Sequence, residues 1–254
     1  MKKFNKKNLK FDETHFVYGI NGSRQILLAK HFKILYVDLM KDGNASRKSS
    51  LTSSINKNKV KVNQIQKDVF LKKYKGLRTQ GIVVYFKGSI YKNLPNFKNS
   101  KSDLILLLLD NIEDPQNLGQ IIRTAECGGV DGIILPEHNS VGLTQTAIQV
   151  SQGAFVHIPI YKCNNLRNQL NSLKKDGFWT IALENSIKAK PWHEINMKGK
   201  VAVVLGSEGR GIRDLVLKSC DFHSTIPMMG KINSLNVSAT VSALVFERLR
   251  QLSL

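Results

Sequence analysis

Three stretches of the chain place polar and small residues where a fold alone would not require them. The first, LLDNIEDPQNLGQIIRTAECGGV (108–130), ends an apolar run at Asp110 and turns through Asp114-Pro115. It then reads as a helix with Leu118, Ile121, Ile122 and Ala125 on its buried face. Asn117 is placed to cap that helix, and Arg123 lies on it off the apolar face. The second, VAVVLGSEGRGI (201–212), carries an apolar strand into Gly206, Gly209 and Gly211, with Glu208 between them. Glycines there permit positive φ and let a ligand approach the backbone. The third, IPMMGKINSLNVSATVSALVFERLRQ (226–251), has a polar loop from Met228 to Asn233, after which Ser234 and Asn236 open a helix. Val237, Val241, Leu244, Val245 and Leu249 form its buried face. Ser238, Ala239, Ser242 and Ala243 are small where a surface helix carries long charged side chains, which implies close approach by another backbone or a ligand. The six histidines are scattered, none at metal-ligand spacing from another His or Cys, so they read as surface or core histidines and no metal is expected. An arginine, a carboxylate, amides and a hydroxyl therefore remain to bind and orient a ligand. Singly, each stretch is explained by a surface arginine with a cap, a tight turn, or plain helix capping.

The elements that must position these residues follow from apolar patterning. From LILLLLD (104–110) onward, apolar runs without alternation are each followed by a helical stretch: GIILP, HIPI, FWTIALE, VAVVLG and STIPM. That pattern predicts a parallel sheet covered on both faces, with ligands at the carboxyl ends of its strands. The glycine order GxxGxG is not the GxGxxG of a dinucleotide fold, and no GxxxxGK[ST] occurs, which excludes those two nucleotide-binding classes. Before this lies a smaller strand–helix–strand–helix–strand module. Ser23 is its first expected N-cap, KILYVDLM (33–40) and GIVVYF (81–86) are strands, and 42–62 is a polar excursion, partly helical or a loop. The expected domains are a basic disordered arm over 1–13, an α/β module over 14–90, a linker over 91–103, and the larger α/β domain over 104–254.

The net charge is +19, and its distribution matters more than its size. Residues 1–100 hold 22 Lys and Arg against 5 Asp and Glu, leaving 16 against 14 in 101–254. A concentrated excess of this kind is the footprint of a polyanion partner, RNA or DNA in preference to a membrane, since no amphipathic basic helix with large apolar residues occurs. The longest apolar run, Leu104–Leu109, is far shorter than the roughly 20 residues a bilayer requires. The basic start reads as a solvated tail, with an organelle transit peptide as the alternative. Three cysteines (Cys127, Cys163, Cys220) without a CxxC pair point to a reducing, cytoplasmic setting.

Taken together and in order, NIEDPQNLGQIIRTA, LGSEGRGI and IPMMGKINSLNVSATVSALVFE, joined by TAIQVSQGAFVHIPI, resemble the SpoU (TrmH) family of RNA 2′-O-ribose methyltransferases of the SPOUT superfamily. The resemblance covers 104–251. Weaker similarity over 15–86 is to the family's substrate-binding module, a ribosomal-protein-like RNA-binding fold. The resemblance implies a trefoil knot, with the terminal segment threaded through an earlier loop. It also implies an S-adenosylmethionine pocket built from the knotted loops and a homodimer formed over the knot. By matching motif, Leu205, Gly206, Ile226, Met228 and Leu235 would form the methyl-donor pocket. Arg123 would be the catalytic arginine, with Asn117, Glu208, Ser234 and Asn236 as its supporting polar set. A ribose 2′-OH is a poor nucleophile, and arginine, with a pKa above about 12, is a poor base. Pairing with an RNA phosphate and stabilising a developing alkoxide suits it better. The separate basic module makes the chain most like members acting on a guanosine of large-subunit rRNA. A tRNA-directed activity and a non-catalytic ribosome-assembly role are the alternatives. Thr79-Gln80-Gly81 stands where the module usually ends in His-Gln-Gly, which leaves the RNA target open.

Overall fold

The computed structural model describes residues 14–100, 102–186 and 189–253. The expected basic arm, 1–13, lies outside them. The chain divides into two compact units, the first ending at Ile90 and the second starting at Tyr91.

The first unit runs β1 (Thr14–Tyr18), α1 (Ile20–Leu28), β2 (Lys33–Met40), α2 (Ser49–Lys57), β3 (Val62–Ile65), α3 (Lys67–Lys73) and β4 (Ile82–Lys87). Its sheet has the order β1-β4-β2-β3, with β4 antiparallel to both neighbours and β2 parallel to β3. The 42–62 excursion is thus the crossover of this parallel pair, and Leu51 and Ile55 fix α2 in the core. Gly19, at φ 84°, takes the cap position of α1 where Ser23 was expected. Ser23 is instead fully buried, its hydroxyl without a partner among the described residues. The acidic group at the centre of the sheet is Asp38, wholly buried in β2. Asn63, Lys73 and Tyr74 all donate to its carboxylate. Burial pushes the Asp38 pKa up, but those bonds from Lys73, Tyr74 and Asn63 outweigh it and hold the carboxyl below its usual range.

The second unit begins with β5 (Tyr91–Lys92), which adds to the large sheet, while Phe97 enters that unit's core. Residues 91–103 are therefore part of this unit and not a free connection. The order continues with β6 (Leu104–Asp110), α4 (Pro115–Cys127), β7 (Gly132–Pro136), α5 (Gln145–Val150), β8 (Ile160–Cys163), α6 (Leu166–Lys175), β9 (Trp179–Leu183), β10 (Lys190–Pro191), β11 (Lys200–Gly206), α7 (Asp214–Leu217), β12 (Phe222–Thr225) and α8 (Val237–Leu252). The sheet order is β10-β12-β9-β11-β6-β7-β8-β5, and every pairing among the described residues is parallel. All seven residues of β6 are buried, as a strand covered on both faces demands. The strand order reverses around β6 and β11, and the chain leaves their carboxyl ends at Asp110 and Gly206, where such sheets open a crevice.

Two close approaches explain small residues. A Cβ on Gly128 would lie 1.9 Å from Val245 Cγ1, so α4 and α8 pack closely at that point. Along the same line Ser238 Oγ donates to Gln120 Oε1 at 2.7 Å, and Ser242 Oγ lies 3.4 Å from Thr124 Oγ1. Part of the small face of α8 thus meets α4 of its own chain. Ala239 remains exposed, as does Phe246.

Candidate active site

At the carboxyl end of β6, Asp110 is wholly buried and holds the loop that follows β11. Arg213 donates to it from its backbone N–H (2.9 Å), Nε (2.8 Å) and Nη2 (2.8 Å). This clamp, with Nε and Nη2 on Oδ1 and the backbone N–H on Oδ2, folds residues 207–212 back over the end of β11. Gly211, at φ 64°, bonds back to Ser207 O at 2.8 Å. A Cβ on Gly206 would stand 2.1 Å from Gly211 C and 2.3 Å from Gly211 O, so only glycine fits beneath the returning loop.

Beside this loop lies a cleft of about 380 Å³, within the range of roughly 300–1,000 Å³ usual for small-molecule sites. Leu205, Gly206, Ile226, Met228 and Leu235, drawn from two separate motifs, all line it, together with Glu208 and Ser234. The Ser234 hydroxyl makes no hydrogen bond among the described residues. The backbone N–H groups of Met228, Ser234 and Leu235, the residues by which this loop lines the cleft, likewise make none there, which leaves unused donors along one wall.

Asn117 and Asn236 stand outside the cleft and are tied to it through Glu208. Asn117 Nδ2 donates to Glu208 Oε1 at 3.3 Å, Asn236 Nδ2 donates to Asn117 Oδ1 at 3.0 Å, and the Val237 N–H donates to Glu208 Oε1 at 3.2 Å. Helix α4 begins earlier than expected, whereas α8 begins at the expected Asn236. Asp114 caps α4, accepting from the Gln116 N–H at 2.8 Å, with Pro115 at the first helical position, so Asn117 sits inside the first turn and its side chain meets Glu208 and Asn236 instead of capping. Asn236 caps α8 and Ser234 stays in the loop. Arg123 is not brought to the cluster. It is exposed on α4 and makes no hydrogen bond or ion pair among the described residues.

Several lining residues carried no motif. Glu184, Asn185 and Ser186 follow β9 into the cleft, and Asn185 Nδ2 donates to Asn233 O at 2.6 Å, pinning the 228–236 loop. His223 Nδ1 lies 2.9 Å from Glu184 Oε1. Their signal was positional: Glu184 and Asn185 end an apolar strand of the same parallel sheet, the rule that singled out Asp110 and Gly206. Among the described residues no group of three His, Cys, Asp or Glu side chains is arranged to hold a metal ion.

With this geometry established, comparison with known proteins assigns the chain. The sequence profile of the SpoU rRNA Methylase family matches residues 104–246. The chain belongs to that family. A Staphylococcus saprophyticus protein assigned to the TrmH family of tRNA/rRNA methyltransferases is 35% identical over 244 residues, covering 92% of this chain and 95% of its own. A Staphylococcus aureus protein with the same assignment is 39% identical over 176 residues, 68% of this chain and 71% of its own. Among solved structures, the SpoU methyltransferase AviRb from Streptomyces viridochromogenes superposes with a TM-score of 0.77 at 17% identity, covering 94% of this chain and 90% of that one. An AdoMet-bound rRNA methyltransferase from Sinorhizobium meliloti gives 0.76 at 20% identity, covering 94% and 88%. At these identities the two structures establish a shared fold. Family membership makes this SpoU-type chain an RNA methyltransferase.

Proposed function

We propose that this SpoU-family chain transfers a methyl group from S-adenosylmethionine to a ribose 2′-OH of structured ribosomal RNA, and that it does so as a homodimer with a knotted second unit. The observation that carries the reading is the single cleft at the strand ends onto which all five expected donor-pocket residues converge. Its lining suits the donor. Leu205, Ile226, Met228 and Leu235 offer apolar surface for a nucleoside base and a thioether-like chain, and the unused N–H groups of Met228, Ser234 and Leu235 offer hydrogen bonds for polar edges. When bound, S-adenosylmethionine supplies an electrophilic methyl group on a sulfonium.

The protein's own part is positioning. Glu208 is held by Asn117 and the α8 N-terminus, so its carboxylate is fixed in direction before RNA arrives. Ser234, unpartnered on the cleft wall, is free to bond to substrate. Arg123, always charged, neutralises a phosphate beside the target ribose and stabilises the developing alkoxide. It stands outside its own chain's cleft, so in the homodimer it serves the cleft of the second copy. The exposed Ala239 and Phe246 on α8, with Ala243 half-buried between them, support that dimer, being small or apolar where a solvated helix would be charged. The knot is supported by the backward fold of 207–212 over Gly206 and by Val237 bonding to Glu208 of that loop. Ribosomal RNA is preferred to tRNA because the basic excess is gathered in a separate unit. The intact set of Asn117, Glu208, Ser234 and Asn236 argues against a purely structural assembly factor.

Mapping ribose methylation across rRNA and tRNA in cells with and without the protein tests the reading. Loss of one rRNA methyl group is expected. Loss of a tRNA methyl group would move the target, and no loss anywhere, with no donor binding by the purified protein, would sink it. No helix among the described residues is long and apolar enough to cross a membrane.

A further inference from the structure

One of the histidines that no motif absorbed ties together two segments of the cleft at the strand ends. His223 lies on β12, register partner of Ala182 on β9, and its side chain is 31% exposed. Its Nδ1 lies 2.9 Å from Glu184 Oε1, just past the end of β9. Its Nε2 lies 3.2 Å from Leu217 O, at the end of α7. Glu184 and Leu217 both line the cleft, and His223 itself does not. A carboxylate and a carbonyl only accept, so the ring bonds to both only with a proton on each nitrogen, as the imidazolium. A neutral ring, in either tautomer, sets a bare lone pair against one of them.

The charged groups on the surrounding elements leave Glu184 as the ring's partner. Asp214 on α7 forms no ion pair with it among the described residues, and Asp221, just before β12, is held by Lys174 of α6 at 2.8 Å. The basic groups of these elements are Lys190 on β10, Lys218 after α7, and Arg213, which is held by Asp110. The Glu184 carboxylate, 17% exposed, spends only Oε1, accepting there from Ser186 Oγ at 2.8 Å as well as from the ring. Its Oε2 accepts no hydrogen bond among the described residues and is left for a ligand. An acidic side chain at a strand end of an open parallel sheet is well suited to bond to a ribose hydroxyl. Resting on the proposed methyl transfer, we infer that His223 is a positioning residue for the methyl donor. As the imidazolium it holds Glu184 and Leu217 at a fixed separation and keeps Oε2 of Glu184 available to a ribose hydroxyl of the donor. Loss of one ring proton releases one of the two segments, so the cleft holds its donor best while the ring is charged.

The test follows binding of S-adenosylmethionine and of 5′-methylthioadenosine to the full chain by calorimetry over about pH 5.5–8, where imidazoles titrate. Buffers of different ionisation heat report proton uptake directly. 5′-Methylthioadenosine keeps the nucleoside but lacks the amino acid, so no group of the ligand titrates in this range and any pH dependence belongs to the protein. Wild-type affinity should fall about threefold to tenfold from the acid to the alkaline end, the weight of one charge-assisted hydrogen bond at a partly exposed site, with net proton uptake on binding. His223→Gln, which can keep one of the two bonds but not the charge, should bind at the weak alkaline level throughout and take up no proton. His138→Gln, an exposed histidine after β7 that does not line the cleft, should follow wild type. The wild-type chain should also prefer adenosine to 2′,3′-dideoxyadenosine, and Glu184→Ala should lose that preference. A flat wild-type profile without proton uptake would overturn the inference, and so would a full ribose preference in Glu184→Ala. A His223→Gln chain that melts earlier yet keeps wild-type affinity and proton uptake would make the histidine merely structural and overturn it as well. Should His223→Gln fail to fold, the wild-type profile and Glu184→Ala still decide. Binding of neither donor nor analogue by the wild-type chain at any pH is a different result, which sinks the methyl-transfer reading and this inference with it.

Discussion

Replacing Gly206 by alanine isolates the returning loop as the element that shapes the proposed donor cleft. Gly206 does not have positive φ, so alanine is allowed by the backbone and by itself would stabilise the chain by about 0.4–1 kcal/mol through the unfolded state. The steric cost opposes this. The new methyl would lie 2.1 Å from Gly211 C, against a usual carbon–carbon contact of about 3.5–4.0 Å, so the loop must retreat by more than about 1 Å. Overpacking of this kind costs about 1–3 kcal/mol, and the neighbouring Arg213–Asp110 clamp resists relief by simple displacement. Two measurements separate where the strain goes. Calorimetric titration of S-adenosylmethionine should show a loss of about tenfold to a hundredfold, each 1.4 kcal/mol being tenfold. Thermal unfolding should fall by about 2–4 °C per kcal/mol retained in the folded state. Gly209→Ala is the control, since nothing lies within 4 Å of its Cβ and its φ is not positive; it should change neither. Wild-type donor affinity together with equal or raised melting temperature in Gly206→Ala would refute the argument, because that is what an open turn would give.

The remaining predictions concern packing, charge and the dimer. Gly128→Ala should destabilise by about 1–3 kcal/mol in urea unfolding, and adding Val245→Ala should recover part of the loss; additive losses would contradict the close contact of α4 and α8. Asp38→Asn should destabilise at neutral pH by an amount that shrinks in acid. The native carboxyl titrates below its ordinary value near 3.8, so its contribution is complete above that value and is lost as pH falls through the lower native one. A wild-type-to-variant gap that stays constant from neutral pH to below that value would show that Asp38 is not the group responsible. Arg123→Ala should abolish methylation with donor binding kept. Co-expressed with Gly206→Ala, it should recover roughly a quarter of the activity by two-fold symmetry, whereas no recovery would place the arginine in its own chain's cleft.

Much of the second unit was legible because its signals are local. A run such as LILLLLD can be buried on both faces only in a covered parallel sheet, and ligands then sit at strand ends. Capping was less so. Asn117 and Asp114 are both good capping residues, and it is Pro115, favoured at the first helical position, that selects Asp114. Polar composition hid α2, whose Leu51 and Ile55 turn inward only because a crossover must pack on its sheet. Likewise 91–103 lacks periodicity, since a two-residue strand and one buried phenylalanine leave no repeating pattern.

By itself the sequence determined which residues are chemically able to serve the site, because small, polar and glycine positions depart from what packing asks of a helix or strand. The tertiary structure alone decided which of them meet. Asn117 and Glu208, 91 positions apart, become partners only when β6 and β11 lie side by side. Arg123, on the same helix as Asn117, is left outside, because six residues along an α-helix amount to about one and two-thirds turns and carry it to another face. Glu184 and Asn185 enter the cleft through the rank of β9 in the sheet, which depends on pairings between distant segments that no local pattern specifies.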